Sequence, residues 1–353
     1  MKTLSLLIFS FIFLTSCSSK FLKYEKSSDL EKNDEFEKLV RIQTAKPKVV
    51  KAGVSEPHSL AKINEGIVLT EESKVAPTAK VTKKSNTKKN SKAGVEVVPD
   101  ITKHEPEEEG QEGFVGRRPI ADPFRENEKV VHEVTYLKMN AGSLTFETLP
   151  YAQVNQKKSY HFKASILSTS LFSSFYSVDD FVSILMDFET MVPSAFTLHA
   201  KETAQLREAR AFYDQSGLQA TYWEKKYTQA KGEEEKKLNW EILPFSQNTF
   251  SSLYYFRAFS WKVGDERAFR VTNDKENLIF TAKAIRKEVL ETQAGNFNAI
   301  VIQPQVTLKG KFKPVGDIFI WLSDDDRKFI LRIECKIKIG SLVSEIVKLD
   351  KGE

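Results

Sequence analysis

"WLSDDDRKFILRIECKIKI", residues 321–339, decides the fold class. Phe329, Leu331, Ile333, Cys335, Ile337 and Ile339 alternate with Ile330, Arg332, Glu334, Lys336 and Lys338. A sustained period of two marks a half-buried strand with one apolar and one charged face. Just upstream, Ile318, Ile320 and Leu322 alternate with Phe319 and Trp321. Asp324, Asp325 and Asp326 therefore fall between two strands, where Asp and Ser favour turns by bonding the local backbone. A calcium loop needs oxygen ligands at alternating positions, a glycine and a late glutamate. Three adjacent aspartates followed by Arg327 and Lys328 do not supply these, so the stretch reads as a turn and no metal is assigned. The same alternation puts Cys335 on the apolar face, as a core thiol and not a nucleophile.

Outward from this hairpin, similar runs recur between Gly, Asn, Pro and Asp turns. They include "KVVHEVTYL" (129–137), the turn "KMNAG" and "SLTFETL" (143–149). "SYHFKASIL", "SAFTLHAKE", "REARAFYD", "LQATYWEKK", "ERAFRVT" and "FNAIVIQP" follow. "VDDFVSILMDF" (178–188) fits strand or helix, and the charged "KKYTQAKGEEEKK" (225–237) reads as a solvated hairpin tip. The best helix is "NTFSSLYYFRAF" (248–259), with Asn248 or Ser251 as its cap and Phe250, Leu253, Tyr254 and Arg257 on one side. The expectation is a mainly β domain over 119–353. Its antiparallel sheet is curved or partly closed, half-barrel-like, with one or two helices packed on it and a disordered tether before it.

"DPFRENEKVVHEVTYLKMNAGSLTFE", "FSSLYYFRAFSWKVGDERAFRV", "TQAGNFNAIVIQP" and "GDIFIWLSDDDRKFILRIECKIKIGSLVSEI" occur in this order across nearly all of residues 120–349. In that succession the chain resembles the bacterial exported proteins of domain-of-unknown-function family 3108. The resemblance implies an exported, β-rich protein and carries no catalytic residue with it. The long N-terminal tether and the charged 225–237 stretch depart from the family's pattern.

The N-terminus reads as an export signal. Lys2 precedes the apolar "LSLLIFSFIFL" (4–14), too short for a membrane span, which takes about 20 apolar residues. "LTSC" (14–17) then resembles the bacterial lipobox. Cleavage before Cys17, with acyl chains such as palmitate on its thiol and amine, would anchor the chain firmly. Each buried methylene contributes about 0.8 kcal/mol, so two or three chains hold where one does not. Residues 1–16 are thus a signal peptide, and Ser18 after the cysteine points to the outer membrane by resemblance to lipoprotein sorting. The domain is then expected to face the periplasm. Cys335 has no partner thiol left, so no disulfide framework exists.

From Cys17 to Arg118 the tether is poor in aromatics, with none between Glu37 and Gly113. Such a chain cannot offset its ordering entropy by apolar burial. About 100 flexible residues span roughly 50–60 Å on average and at most about 330–360 Å. A short helix within "SSDLEKNDEFEKLVRIQ" (27–43), with Leu30, Phe36, Leu39 and Val40 partly on one side, is the one ordered element expected there. The basic 41–103 block reads as a solvated spacer or as a contact for anionic lipid or cell-wall polymer.

The formal charge of +5 gives no reason to expect nucleic acid as a partner. His132, His161 and His199 lack metal-ligand spacing, and His58 and His104 fall in the tether. Asp179 and Asp180 are adjacent and would point opposite ways on a strand. No nucleophile elbow, phosphate loop or C-x-x-C occurs. The sequence therefore implies no enzyme and no cofactor. Aromatics crowd around the helix at Phe245, Phe250, Tyr254, Tyr255, Phe256, Phe259 and Trp261. They fit a plug filling the concave sheet or, with Phe250, Tyr254 and Phe256 as candidate contacts, the lining of a cavity for an apolar, lipid-like ligand. The leading expectation is a non-catalytic binding or envelope-support module whose partners are the membrane and cell-wall polymer or envelope proteins.

Overall fold

The computed structural model describes residues 32–44, 114–115, 117–308, 311–313, 318–336 and 340–353. The signal peptide, Cys17, His58, His104 and most of the tether lie outside them. The first elements are a short helix α1 (Asp34–Leu39) and strand β1 (Ile42–Thr44). A two-stranded hairpin follows, β2 (Phe114–Val115) and β3 (Arg118–Pro119).

The rest is one antiparallel sheet wound up strand by strand. Its first half comprises β4 (Glu128–Tyr136), β5 (Met139–Val154), β6 (Lys157–Ser168), β7 (Val178–Asp187), β8 (Pro193–Glu202), β9 (Gln205–Asp214), β10 (Gln219–Thr228) and β11 (Gly232–Glu241). The second half comprises β12 (Glu266–Asn273), β13 (Glu276–Thr292), β14 (Gly295–Leu308), β15 (Lys311–Lys313), β16 (Ile318–Ser323), β17 (Ile330–Lys336) and β18 (Ser341–Asp350). The order is β11-β10-β9-β8-β7-β6-β5-β4-β18-β17-β16-β14-β13-β12, with β1 added to β5 and β15 to β14. Among the described residues, the β18–β4 and β1–β5 ladders are the ones that join distant parts of the chain. Between β6 and β7 sits a one-turn helix α2 (Ser170–Ser173). Between β11 and β12 lie the helix α3 (Thr249–Tyr255) and a 3-10 turn, Phe256–Ala258.

The ambiguous 178–188 run is strand β7 as far as Asp187, paired with β6 and β8, with a register shift against β8 between Leu185 and Met186. Hairpin geometry corrects two expected turns. The β4–β5 turn is Leu137–Lys138, both at positive φ, and not the Asn-Ala-Gly that follows. Two residues at positive φ match the right-handed twist of the strands they join. Gly142 lies instead inside β5, where a Cβ would come within 2.4 Å of the Leu167 carbonyl oxygen. The charged 225–237 stretch is mostly ladder, since β10 and β11 pair from Gln219–Glu241 out to Thr228–Gly232.

Strand alternation divides the apolar residues between two clusters. Ile184 and Met186 of β7 belong to the large interior core, whereas Leu185 between them belongs to a small cluster on the other face. Phe196 and Ala195 divide in the same way, as do Ala211 and Phe212. The interior core is closed by α3 and its 3-10 extension. Asn248 caps the helix, accepting from the backbone of Phe250 at 2.9 Å and Ser251 at 2.7 Å, while Ser251 Oγ accepts from Asn248 N at 2.9 Å. This reciprocal capping box starts the helix, and extended backbone at Phe259 ends the 3-10 turn.

Residues 32–44 correct the expectation of a solvated tether. Phe36 and Val40 of this segment are buried against the small outer cluster of Ala152, Val154, Leu185, Ala195 and Trp223. Helix α1 falls inside the 27–43 stretch read as a helix. The two aromatic or β-branched side chains that fail to make a core alone find one on the sheet.

Candidate functional site

The two edges of the sheet, β11 and β12, meet through side chains. Trp240 Nε1 donates to Thr272 Oγ1 at 2.7 Å, and Lys236 pairs with Asp274 at 3.0 Å. The chain leaving β11 adds one parallel bridge to β12. Gln247 N donates to Arg270 O and Thr272 N donates to Gln247 O, each at 2.8 Å. The sheet is curled almost into a barrel and sealed along a seam, with no ladder between its edge strands.

At this seam lies a cavity of about 60 Å³, lined by Phe196, Arg207, Tyr222, Lys236, Trp240 and Phe250 among others. Register explains the assembly. Arg207 and Tyr213 on β9 and Tyr222 and Glu224 on β10 share the interior face, as do Lys236 and Trp240 on β11. Arg207 donates from Nε to Glu224 at 2.5 Å and from Nη2 to the Tyr222 hydroxyl at 2.8 Å. Tyr222 in turn donates to Glu224 at 2.5 Å. Burial, with the Glu224 charge, pushes the Tyr222 hydroxyl above its ordinary range despite Arg207. The cavity thus offers aromatic walls with paired charges at their edge. Sequence reasoning singled out neither Arg207 nor Lys236. The available signal was an arginine sharing strand parity with Ala209, Ala211 and Tyr213.

Of the candidate contacts Phe250, Tyr254 and Phe256, the structure brings only Phe250 to the cavity. Phe250 is half-buried and meets Phe196 edge-on at 5.2 Å. Tyr254 is in the sealed interior, stacked on Phe162 at 4.1 Å with its hydroxyl donating to Lys163 O at 2.9 Å. Phe256 packs against Phe269, Phe280 and Trp261. The concave side is filled by these rings.

The buried charge sits at the end of this plug. Arg257, 1% exposed, donates to both Glu128 oxygens at 2.6 and 3.0 Å. It also reaches the carbonyls of Pro123 at 3.2 Å and Arg327 at 2.9 Å. Arg327 itself donates to Glu128 at 2.7 Å. The pattern that put Arg257 beside Phe250 on the helix gave no hint of this bidentate pair.

Asp325 and Asp324 of the aspartate triplet have separate structural roles. Asp325 Oδ1 accepts from the backbone of Arg327 at 3.0 Å and Lys328 at 2.9 Å, and from Ser323 Oγ at 2.7 Å. Asp324 pairs with Lys287 at 2.8 Å. Cys335 is buried, and burial pushes its thiol up. His132 is fully buried between Ser344 Oγ at 2.9 Å and Ile330 O at 2.8 Å, and desolvation lowers its pKa to about 4. Asp180, by contrast, is raised to about 7 by burial and then by the Glu202 charge. Among the described residues no group of three or more His, Cys, Asp or Glu converges as a metal site.

A β-barrel-like protein of family DUF1849 from Brucella abortus is similar in structure, with a TM-score of 0.40 and 10% identity over 64% of this chain and 98% of that one. A protein from Bacteroides fragilis, named as exported and of YmcC-like fold, gives 0.29 and 8% over 65% and 97%. A protein from Parabacteroides distasonis, named as a lipoprotein, gives 0.27 and 8% over 64% and 95%. Likenesses this distant bear on no functional reading. Among curated protein sequences none matches. The family model described as "Protein of unknown function (DUF3108)" matches residues 131–347, from within β4 to near the end of β18, and the chain belongs to that family.

Proposed function

We propose that the protein is a lipoprotein of the outer membrane, held by acyl chains on Cys17, with its β domain in the periplasm as a non-catalytic binding module for cell-wall polymer. The N-terminal "LTSC" after an apolar signal supports the anchor. The observation carrying the binding role is the seam. The interior is occupied by Tyr254, Tyr255 and Phe256, and the cavity of about 60 Å³ at the sheet's edges admits an end group only. Sites that enclose whole small ligands are about 300–1,000 Å³, so this cavity favours an end group over the rival reading, a carrier or sensor of a lipid-like molecule. Rings from Tyr222, Trp240 and Phe250 beside Arg207, Lys236 and Asp274 suit one sugar or peptide unit of a polymer presented at the surface.

Co-sedimentation of the full-length protein with purified insoluble cell wall tests this. The wild type is expected to pellet, and Tyr222→Ala and Lys236→Glu are expected to pellet at least several-fold less while remaining folded. Failure of the wild type to pellet, with stoichiometric uptake of a fluorescent fatty acid, would replace the reading with the lipid carrier.

A further inference from the structure

The domain binds a piece of its own chain that lies far from it in sequence. Asn33 Oδ1 accepts from Phe36 N at 2.9 Å and starts α1, which turns Phe36 and Val40 onto the outer face of the sheet. Both are 4% exposed, and the Phe36 ring meets Trp223 edge-on at 6.0 Å. Polar contacts fix the register. Asn155 donates from Nδ2 to Leu39 O and accepts at Oδ1 from Arg41 N, each at 2.9 Å, and its own N–H donates to Arg41 O at 3.0 Å. Strand β1 then pairs with β5 from Ile42–Val154 to Thr44–Ala152. The charges are complementary as well. Glu35 accepts from Trp223 Nε1 at 2.9 Å and pairs with Lys237, and Arg210 lies over the Phe36 ring.

This docking changes what the tether can do. Resting on the lipidated Cys17 proposed above, we infer that residues 33–44 are a clasp, and that the domain stands on the short lead between Cys17 and Asn33. That lead spans at most about 53–58 Å, against about 330–360 Å for the whole stretch to Arg118. The occupant is this same chain, because the acidic first turn of α1 and the lysine and arginine of the face it covers match in cis, and the segment is continuous with β5 through the backbone ladder.

The test uses the full lipidated chain in vesicles of phosphatidylethanolamine and phosphatidylglycerol, with a specific protease site inserted within residues 45–113. After cleavage, the severed wild-type domain is expected to stay with the vesicles. Phe36→Asp is expected to release at least tenfold more domain, and Trp223→Ala should act similarly from the opposite side of the contact. Leu39→Asp, on the exposed side of α1, should behave as wild type. Release of the cleaved wild-type domain as readily as that of Phe36→Asp would overturn the clasp. A parallel arm separates this from failure of the anchor. In an unlipidated Cys17→Ser chain, the cleaved N-terminal fragment should co-elute with the domain, and its separate elution would equally overturn the clasp. Uncleaved wild type that ignores vesicles would defeat the anchor alone, leaving the co-elution to decide the clasp.

Discussion

At the scale of single residues, the interior tolerates polar groups only where each has a partner. Arg257 and Glu128 satisfy each other and two carbonyls, and removing one would strand the other in the core. His132 is the more informative case. Ile330 O can only accept, so Nε2 carries the proton and Nδ1 accepts from Ser344 Oγ. Protonating Nδ1 would break that arrangement and charge a fully buried ring. With a folded pKa of about 4 against the ordinary 6.5, the unfolded chain takes up a proton first as pH falls. Stability from this group is therefore complete above about pH 6.5 and declines down to about pH 4, by about 3 kcal/mol in all. Asp180 slopes the opposite way over much of this window, so the test is a difference. Urea unfolding of wild type and His132→Gln at pH 7 and pH 4 should show the wild type losing about 3 kcal/mol more than the variant. Equal losses would mean the ring is not held neutral. Neither Ser344 nor Ile330 was readable as its partner, because both are far along the chain and meet His132 only through strand order.

At the scale of elements, the strand at 330–336 and the cap at Asn248 were legible, since each is a local pattern with a local cause. The expected alternation breaks where the β16–β17 register shifts, and Phe329, Ile330 and Leu331 all enter the interior core. What the helical period could not say was how deep each position lies. It put Phe250 and Tyr254 on one side of α3, and both do face the sheet, but the helix runs from the seam inward. Phe250 therefore stands at the cavity wall, while Tyr254 is closed in by Phe146 and Phe162. Truncating them should separate the two environments. Tyr254→Ala leaves an enclosed void and a carbonyl without its donor, and is expected to destabilise the domain by about 3–5 kcal/mol. Phe250→Ala opens onto an existing cavity and should cost less than about 2 kcal/mol, because less buried area is lost. Paired chemical denaturation curves of the two variants measure this directly. Equal costs would indicate that the seam cavity is closed in solution.

At the scale of the whole molecule, period two tells which face a side chain takes and nothing about which strand lies beside it. The β18–β4 pairing and the approach of β11 to β12 were for that reason invisible in the sequence, as was the docking of α1. The seam has a physical consequence. A closed barrel has no edge, but this sheet has two, and β11 is guarded by Glu233, Glu234, Glu235, Lys236 and Lys237, a charged run that discourages pairing with another chain. What holds the edges together is a handful of side chains, with Trp240 on Thr272 at the centre. Opening the seam breaks those contacts and the single Gln247–Val271 bridge, whereas parting β5 from β6 breaks a long ladder. Amides of β11 and β12 should accordingly exchange with solvent through local opening, well before those of β5, β6 and β7. Trp240→Ala should speed exchange in β11, β12 and residues 242–248 by tenfold or more and leave β5–β7 nearly unchanged when measured where the variant is still fully folded. If exchange instead rises uniformly across the sheet, the seam is no weaker than any ladder, and the cavity it borders could not widen to admit a polymer unit.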